Sequence, residues 1–161
     1  MFLKPLVQRI AREENIYVRI RIRSALGGHG RAISEYRTYQ RLVEKGLIQD
    51  PTPGLIVVGI DGNCETFAKK RKEIEETTQA TFLERTVAAC PDPHIERWFL
   101  ADPESFQEVV GHRPAVGRKK CVRDHYKQVL GQAVRDGGHP ATLGGIEFAD
   151  ELVDKMDLYR A

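Results

Sequence analysis

Two hydrophobic periods alternate along the chain, and together they predict a mixed α/β protein. Apolar side chains recur at helical spacing over 2–14, and a second helix is predicted over 33–45. Between them, 16–23 has the sequence IYVRIRIR, and its strict alternation of apolar and polar residues predicts a half-buried strand near a sheet edge. The glycine-rich stretch 24–31 is predicted to be a flexible loop.

A different kind of strand is predicted further along the chain. Residues 55–60 have the sequence LIVVGI, a continuous apolar run that is typical of a strand buried on both faces in a parallel sheet. A charged helix is predicted over about 65–77, and 85–90 is a shorter strand candidate. Strands that alternate with helices favour a parallel sheet covered by helices on both faces.

The rest of the chain is predicted to be helical. Two Asp-Pro pairs are typical helix starts, because aspartate caps a helix and proline suits its first position. Helices are predicted over 94–101, 104–111, 119–135 and 146–159. The length of 161 residues suits a single domain, with a core at about 1–110 and a helical C-terminal part at about 111–161.

Asp61 is the strongest candidate for chemistry. It follows the most apolar strand, and ligands of parallel sheets bind at the carboxyl ends of strands. Mg²⁺ prefers oxygen ligands, usually one or two carboxylates with water and phosphate, and Asn63 could add a carbonyl oxygen. The alternative is that Asp61-Gly62 forms a turn and Asn63 caps the next helix.

Glu96 is a second candidate, because it lies among apolar residues in a helix that has few polar groups. A partly buried carboxylate needs a partner, which could be an arginine, a helix end or a metal ion.

Basic residues are unevenly distributed, although the net charge is only +2. Residues 1–45 carry ten basic and four acidic side chains, and residues 112–135 carry seven basic side chains and one acidic side chain. Each stretch therefore has a local net charge of +6. Such patches suit a nucleic-acid partner, although ordinary solvated charge is an equal alternative. The candidate nucleic-acid-binding residues are Arg19, Arg21, Arg23, Arg31, Lys119 and Lys120. The three strand arginines could instead form a salt-bridge layer, and Arg31 could clamp a phosphate held by the glycine loop.

The three cysteines, Cys64, Cys90 and Cys121, are odd in number and far apart, which predicts a protein of the reducing cytoplasm, and hydropathy predicts no membrane contact. No apolar run approaches the roughly 20 residues that span a bilayer. The N-terminal stretch is amphipathic and lacks the features of a signal peptide.

Several segments resemble an uncharacterised bacterial family of toprim-like proteins, related to the toprim domain of OLD-type nucleases. The matching stretches are FLKPLVQRI, the GGHG loop, LIVVGIDGN and PDPHIERWFLADPESF, which together span about 2–110. The resemblance implies a toprim-like, Rossmann-like parallel sheet. It also implies an Mg²⁺ site in which Asp61 matches the first residue of an Asp-x-Asp pair, Asn63 replaces the second, and Glu96 matches a family glutamate.

Relatives carry a first strand ending in Glu-Gly before the segment that matches FLKPLVQRI. Met1 falls where that strand should already have ended, so either the chain lacks the strand and its glutamate, or its true start lies further upstream. A sheet that lacks a strand exposes an edge, and this favours a homodimer.

Three functions remain open from the sequence. The first is an Mg²⁺-dependent nuclease, and the resemblance implies a role in phage defence or mobile-element biology. The second is a non-catalytic module that binds nucleic acid or a partner ATPase, which Asn63 and the absent strand favour. The third and weakest is a nucleotide-binding enzyme unrelated to nucleic acid.

Overall fold

A computed structural model describes residues 2–48, 51–117 and 119–159 of the chain. The protein is mixed α/β and divides into two compact units. The sheet unit is Arg23–Pro93, and the helical unit combines Met1–Ile22 with His94–Ala161. Within the described ranges, no helix is long and apolar enough to cross a membrane.

The sheet unit contains a small parallel sheet. Strands β1 (Ile56–Gly59) and β2 (Thr86–Ala89) pair in parallel, with Ile56 opposite Thr86 and Gly59 opposite Ala89. The helices of this unit are α2 (His29–Glu44) and α3 (Phe67–Thr77), and a 3-10 turn, Ala80–Arg85, leads into β2. Among the described residues, the sheet has these two strands only.

One apolar cluster holds the sheet unit together. Its buried members come from both helices and from the strand ends: Ile33, Tyr36, Val58, Ile60, Ile74 and Cys90. The two strands predicted at 55–60 and 85–90 are confirmed, as is the α/β class. The burial on both faces expected for 55–60 is wrong, because Leu55 is 54% exposed and Gly59 is exposed as well, whereas Val58 and Ile60 on the other face are buried.

The helical unit is built around a second apolar core. Its helices are α1 (Leu3–Glu13), α4 (Glu96–Phe99), α5 (Pro103–Val110), α6 (His125–Asp136) and α7 (Ala149–Lys155). Phe106, Val110, Leu130, Val134 and Val153 are completely buried at its centre. The start predicted for α5 is confirmed, since the Asp102 carboxylate accepts a hydrogen bond from the backbone N–H of Ser105 at 3.3 Å.

The strand predicted at 16–23 is wrong. These residues form no strand, and most of them are exposed, including Ile16 at 59% and Ile22 at 48%. A stretch with alternating apolar and polar residues forms a stable strand only where a neighbouring strand completes its backbone hydrogen bonds. None of the described residues pairs with this stretch.

Three predicted helices are shorter than expected. The helix at 94–101 is limited to the four residues of α4, and that at 119–135 begins only at His125, after Asp124 in a left-handed conformation. The last helix begins as a 3-10 turn at Ile146–Phe148 and ends at Lys155. Helix ends depend on local capping and packing, which apolar spacing does not report.

Gly137 provides a direct test of packing in the helical unit. A Cβ atom at this position would lie 2.1 Å from the carbonyl oxygen of Val110 and 2.8 Å from its Cγ1. We expect Gly137→Ala to lower the free energy of unfolding by about 2–3 kcal/mol, because the backbone of α5 must shift to accept the methyl group. Urea unfolding followed by circular dichroism measures the change.

The matched control is Gly117→Ala, since a Cβ there has no neighbour within 4 Å. It should change stability by less than about 0.5 kcal/mol. Equal stability of the two variants would contradict the close approach of Gly137 to α5.

Candidate functional site

Asp61 lies just beyond the carboxyl end of β1. The ladder continues for one residue past the strand, where the N–H of Ile60 donates to the carbonyl of Ala89 at 3.2 Å. Gly62 then donates to Pro91 at 2.8 Å and Asn63 to Pro93 at 2.8 Å, so the segments after both strands run side by side. Asp61 is half-buried at this edge, the position at which parallel sheets bind ligands.

The residues after Asp61 form a tight turn. Gly62 is buried, and a Cβ there would lie 3.0 Å from the carbonyl oxygen of Pro91. Its own carbonyl accepts from Glu65 at 2.9 Å, and Asn63 has a left-handed φ of 52°. The turn interpretation of Gly62 and Asn63 therefore agrees with the backbone.

Helix α3 has a different cap from the one that the sequence suggested. The hydroxyl of Thr66 accepts a hydrogen bond from the N–H of Lys69 at 3.2 Å, so Thr66 is the N-cap. The alternative in which Asn63 caps this helix is wrong, and its exposed side chain is available for another role.

Asp61 and Asn63 suit a sparse cation site. No described residues form a group of three or more histidine, cysteine, aspartate or glutamate side chains that could hold a metal ion. Mg²⁺ does not need such a cage, because it is commonly held by one or two carboxylates together with water and substrate phosphate. One carboxylate and one amide oxygen therefore fit an Mg²⁺ ion that arrives with a phosphate.

Glu96 belongs to the helical unit, whereas Asp61 belongs to the sheet unit. It is 7% exposed and is the first residue of α4. The backbone N–H groups of Arg97 and Trp98 donate to the carbonyls of His94 and Ile95, so backbone hydrogen bonds close the first turn of α4. The burial expected from the sequence is confirmed, while its role as a ligand stays a prediction.

The candidate cations differ in their surroundings. Arg19 and Arg21 are exposed in the extended stretch, as are Lys119 and Lys120 before α6. Arg23 is also exposed, but its guanidinium lies 5.1 Å from the centre of the Tyr39 ring. Arg31 is held as well, since its Nε donates to Glu35 one turn later at 2.8 Å.

Tyr17 is a candidate that the sequence interpretation missed. It alternates with the arginines of the same stretch and is 96% exposed. An exposed aromatic ring beside arginines is a common feature of surfaces that bind single-stranded nucleic acid. Its place in the IYVRIRIR alternation was the available signal.

A second feature missed by the sequence is a charged cluster around Lys70, which we call the Lys70 cluster: His29, Glu65, Lys70 and Glu73. The Lys70 side chain is 4% exposed, and its Nζ lies 2.5 Å from Glu65 Oε2 and 3.2 Å from Glu73 Oε2. His29 Nε2 lies 3.1 Å from the same Nζ and 2.7 Å from Glu73 Oε1. The cluster thus connects the first residue of α2 with α3 and the turn before it.

Mutual pairing favours the charged forms of Glu65, Lys70 and Glu73. Hydrogen bonds from Lys69 and then Lys70 lower the pKa of Glu65 to about 2. Burial alone would raise the pKa of Glu73 and lower that of Lys70, but in each case hydrogen bonds within the cluster reverse the shift. Burial also raises the pKa of the nearby Cys90 thiol, which keeps it protonated.

The signal for this cluster was weak in the sequence. Lys70 lies one turn before Ile74, the buried apolar residue of α3, and therefore on the same helix face. It also stands within the run KKRKEIEE, where charge alone does not distinguish a buried lysine from solvated ones.

Comparisons with protein-family models, with curated proteins and with solved structures found no match for this chain. The arrangement of its own residues is therefore the basis for assigning a function.

Proposed function

We propose that this chain is a toprim-like protein that binds nucleic acid through the extended stretch 16–22. The observation that carries the proposal is the exposure of this stretch, in which Tyr17 is 96% exposed and both Arg19 and Arg21 face solvent. Arginine makes charge-assisted hydrogen bonds to phosphate oxygens, and a tyrosine ring stacks on an unpaired base. Together they recognise a single strand without requiring a particular sequence.

The proposal extends to phosphodiester chemistry at the end of β1. Asp61 is the proposed principal ligand of Mg²⁺, and Asn63 supports it with an amide oxygen. The ion would neutralise charge on a substrate phosphate and activate water. The toprim-like relationship supports this assignment, as does the position of Asp61 beyond a parallel strand.

A non-catalytic binding module is the second candidate function. Two properties of Asn63 favour it. Asn63 is neutral where the resemblance implies a second aspartate. Its backbone is left-handed, a conformation that suits asparagine for structural reasons alone. Binding through 16–22 is common to both candidates, so the two differ only in whether the chain cleaves what it binds.

Replacing Arg19 and Arg21 together by glutamine tests the binding surface. We expect the affinity for a fluorescent single-stranded oligonucleotide to fall by roughly tenfold at low salt. The slope of log affinity against log salt should become shallower by about 0.7 for each lost phosphate contact. Fluorescence anisotropy over a series of salt concentrations measures both quantities.

The matched control is Arg71→Gln combined with Lys72→Gln, which removes the same charge from two exposed ion-paired side chains of α3. It should leave the affinity within about twofold of the unmodified protein, because charges outside the stretch 16–22 contribute only screened, long-range attraction. Equal losses in both double variants would show that net charge, not the stretch 16–22, determines binding.

A further inference from the structure

The outer edge of β2 is open in the sheet unit. β2 pairs with β1 on one side, and no described residue forms a strand on the other. Val87, within the strand, is 50% exposed. The strand has the sequence TVAA, so it carries none of the charged or proline residues that protect a free edge from pairing with another chain. An edge of this kind is available to a strand of a second molecule.

An exposed apolar surface continues from this edge onto α3. A depression of about 580 Å³ lies between the helix and the strand, and its lining includes Phe67, Ile74, Leu83 and Val87. Phe67 is 44% exposed and Leu83 is 48% exposed, whereas Ile74 belongs to the core of the unit. Large apolar side chains that are exposed together are a common feature of protein–protein interfaces.

The charges on the same face of α3 are self-complementary. Arg71 and Glu75 also line the depression, and they follow Phe67 at intervals of four residues, which places all three on one helix face. The Arg71 Nε donates to Glu75 Oε1 at 2.6 Å, yet the two side chains are 59% and 51% exposed. A guanidinium has further N–H donors and a carboxylate accepts several hydrogen bonds, so each can also bind an opposite charge on another molecule.

A twofold axis beside β2 satisfies the strand and the helix together. Two copies related by such an axis run antiparallel, both at β2 and at α3. Antiparallel β2 strands complete each other's backbone hydrogen bonds. Antiparallel α3 helices bring Arg71 of one copy toward Glu75 of the other, and the symmetry makes this contact twice. The charge order of the helix therefore fits a second copy of the chain.

We infer that the free edge of β2 and the adjoining face of α3 form the interface of a homodimer. The two copies build one four-stranded sheet from their two-stranded sheets, and Phe67, Leu83 and Val87 are removed from water. The inference gives a specific interface to the homodimer expected from the sequence. It goes beyond the proposed function, because it uses none of the residues assigned to nucleic acid or Mg²⁺.

Reversing the two charges tests the twofold arrangement. We expect the unmodified protein to sediment as a dimer. Arg71→Glu and Glu75→Arg should each raise the dimer dissociation constant at least about tenfold, because each places like charges across the axis. Sedimentation equilibrium over a series of protein concentrations measures the constant.

A mixture of the two single variants gives the sharpest result. Every charge contact across the axis joins opposite charges when Arg71→Glu pairs with Glu75→Arg, so the mixture should form a heterodimer with a dissociation constant within about threefold of the unmodified value. The ion pair within each helix stays broken in both variants, so this recovery cannot come from the stability of one copy.

Lys72→Glu is the matched control. Lys72 lies on the same helix with a 73% exposed side chain, pairs with Glu76 at 3.6 Å and lies outside the depression. The same reversal of charge should change the dissociation constant by less than about twofold. Val87→Lys tests the strand independently and should also raise the constant at least about tenfold, because a lysine on a free edge opposes pairing.

The outcomes separate the dimer from the proposed function. A monomeric unmodified protein up to about 100 μM would overturn the interface. So would a dimer that Arg71→Glu, Glu75→Arg and Val87→Lys leave intact, or one that Lys72→Glu weakens equally. An oligonucleotide too short to reach a second copy should bind all these variants as it binds the unmodified protein, so loss of the dimer leaves nucleic-acid binding at 16–22 standing.

Discussion

Replacement of Asp61 by alanine is expected to abolish divalent-metal-dependent cleavage of nucleic acid. Asp61 is the only carboxylate in the proposed pair of ligands, so its loss removes the charge that attracts Mg²⁺ to the end of β1. Altering a group that merely orients a metal ligand lowers metal affinity or activity about 10–100-fold. Loss of a direct ligand should therefore lower the cleavage rate more than about 100-fold. Release of fluorescent fragments from a labelled strand, with and without Mg²⁺, measures the effect.

Binding must be measured beside cleavage. Asp61→Ala should bind oligonucleotides in metal-free buffer as well as the unmodified protein, because the proposed binding surface lies at 16–22. Asp150→Ala, which removes an exposed carboxylate from α7, is the matched control and should cleave normally. Full-rate cleavage by Asp61→Ala would refute the metal site, whereas binding without any cleavage by the unmodified protein would establish the non-catalytic alternative.

Replacement of Lys70 by methionine is expected to destabilise the sheet unit by about 2–3 kcal/mol. Methionine keeps the apolar stem but removes the ammonium group, which leaves Glu65 and Glu73 without their shared cation. Breaking a fully buried pair costs about 3–5 kcal/mol, and the expected value is lower because both carboxylates are about one-third exposed and regain water. Urea unfolding at pH 7 measures the loss.

Lys72→Met is the control for Lys70→Met. Lys72 lies on the same helix with a 73% exposed side chain, 3.6 Å from Glu76. Exposed pairs of this kind contribute little, so the change should be within about 0.5 kcal/mol. Similar losses of stability in Lys70→Met and Lys72→Met would mean that the burial of Lys70 does not determine its contribution to stability.

Acid should weaken the same cluster. The pKa values of Glu65 and Glu73 are lowered from an ordinary value of 4.5, to about 2 for Glu65, so folding favours their charged forms. Their stabilisation is present above about pH 4.5 and is lost as the pH falls toward 2. The difference in stability between the unmodified protein and Lys70→Met should therefore shrink on acidification, as urea unfolding at pH 7 and pH 3 can show.

The two strands of the sheet illustrate what local pattern can predict. Residues 55–60 and 85–90 are short, mostly apolar runs, and both form strands. The pattern did not determine their burial, since Leu55 is 54% exposed and Val87 is 50% exposed. The position of Asp61 followed from the same pattern, because its place after such a strand is a matter of chain order. The cap at Asp102 was equally local, since it involves residues only three apart.

The stretch 16–23 shows the limit of that approach. Its alternation is as regular as that of any strand, yet a strand also needs a partner, and partners are distant in sequence. The apparent strand is instead an exposed extended segment, which changes its arginines and Tyr17 from members of a sheet face into solvent-facing groups.

By itself, the sequence determined the α/β class, the parallel strands, most of the helices and the place of Asp61. These depend on residues that lie close together in the sequence. Only the tertiary structure decided that Lys70 is buried beside His29 and that 16–23 remains exposed. Each of these depends on which distant residues exclude water from a side chain, and no local pattern of apolar and charged positions records that.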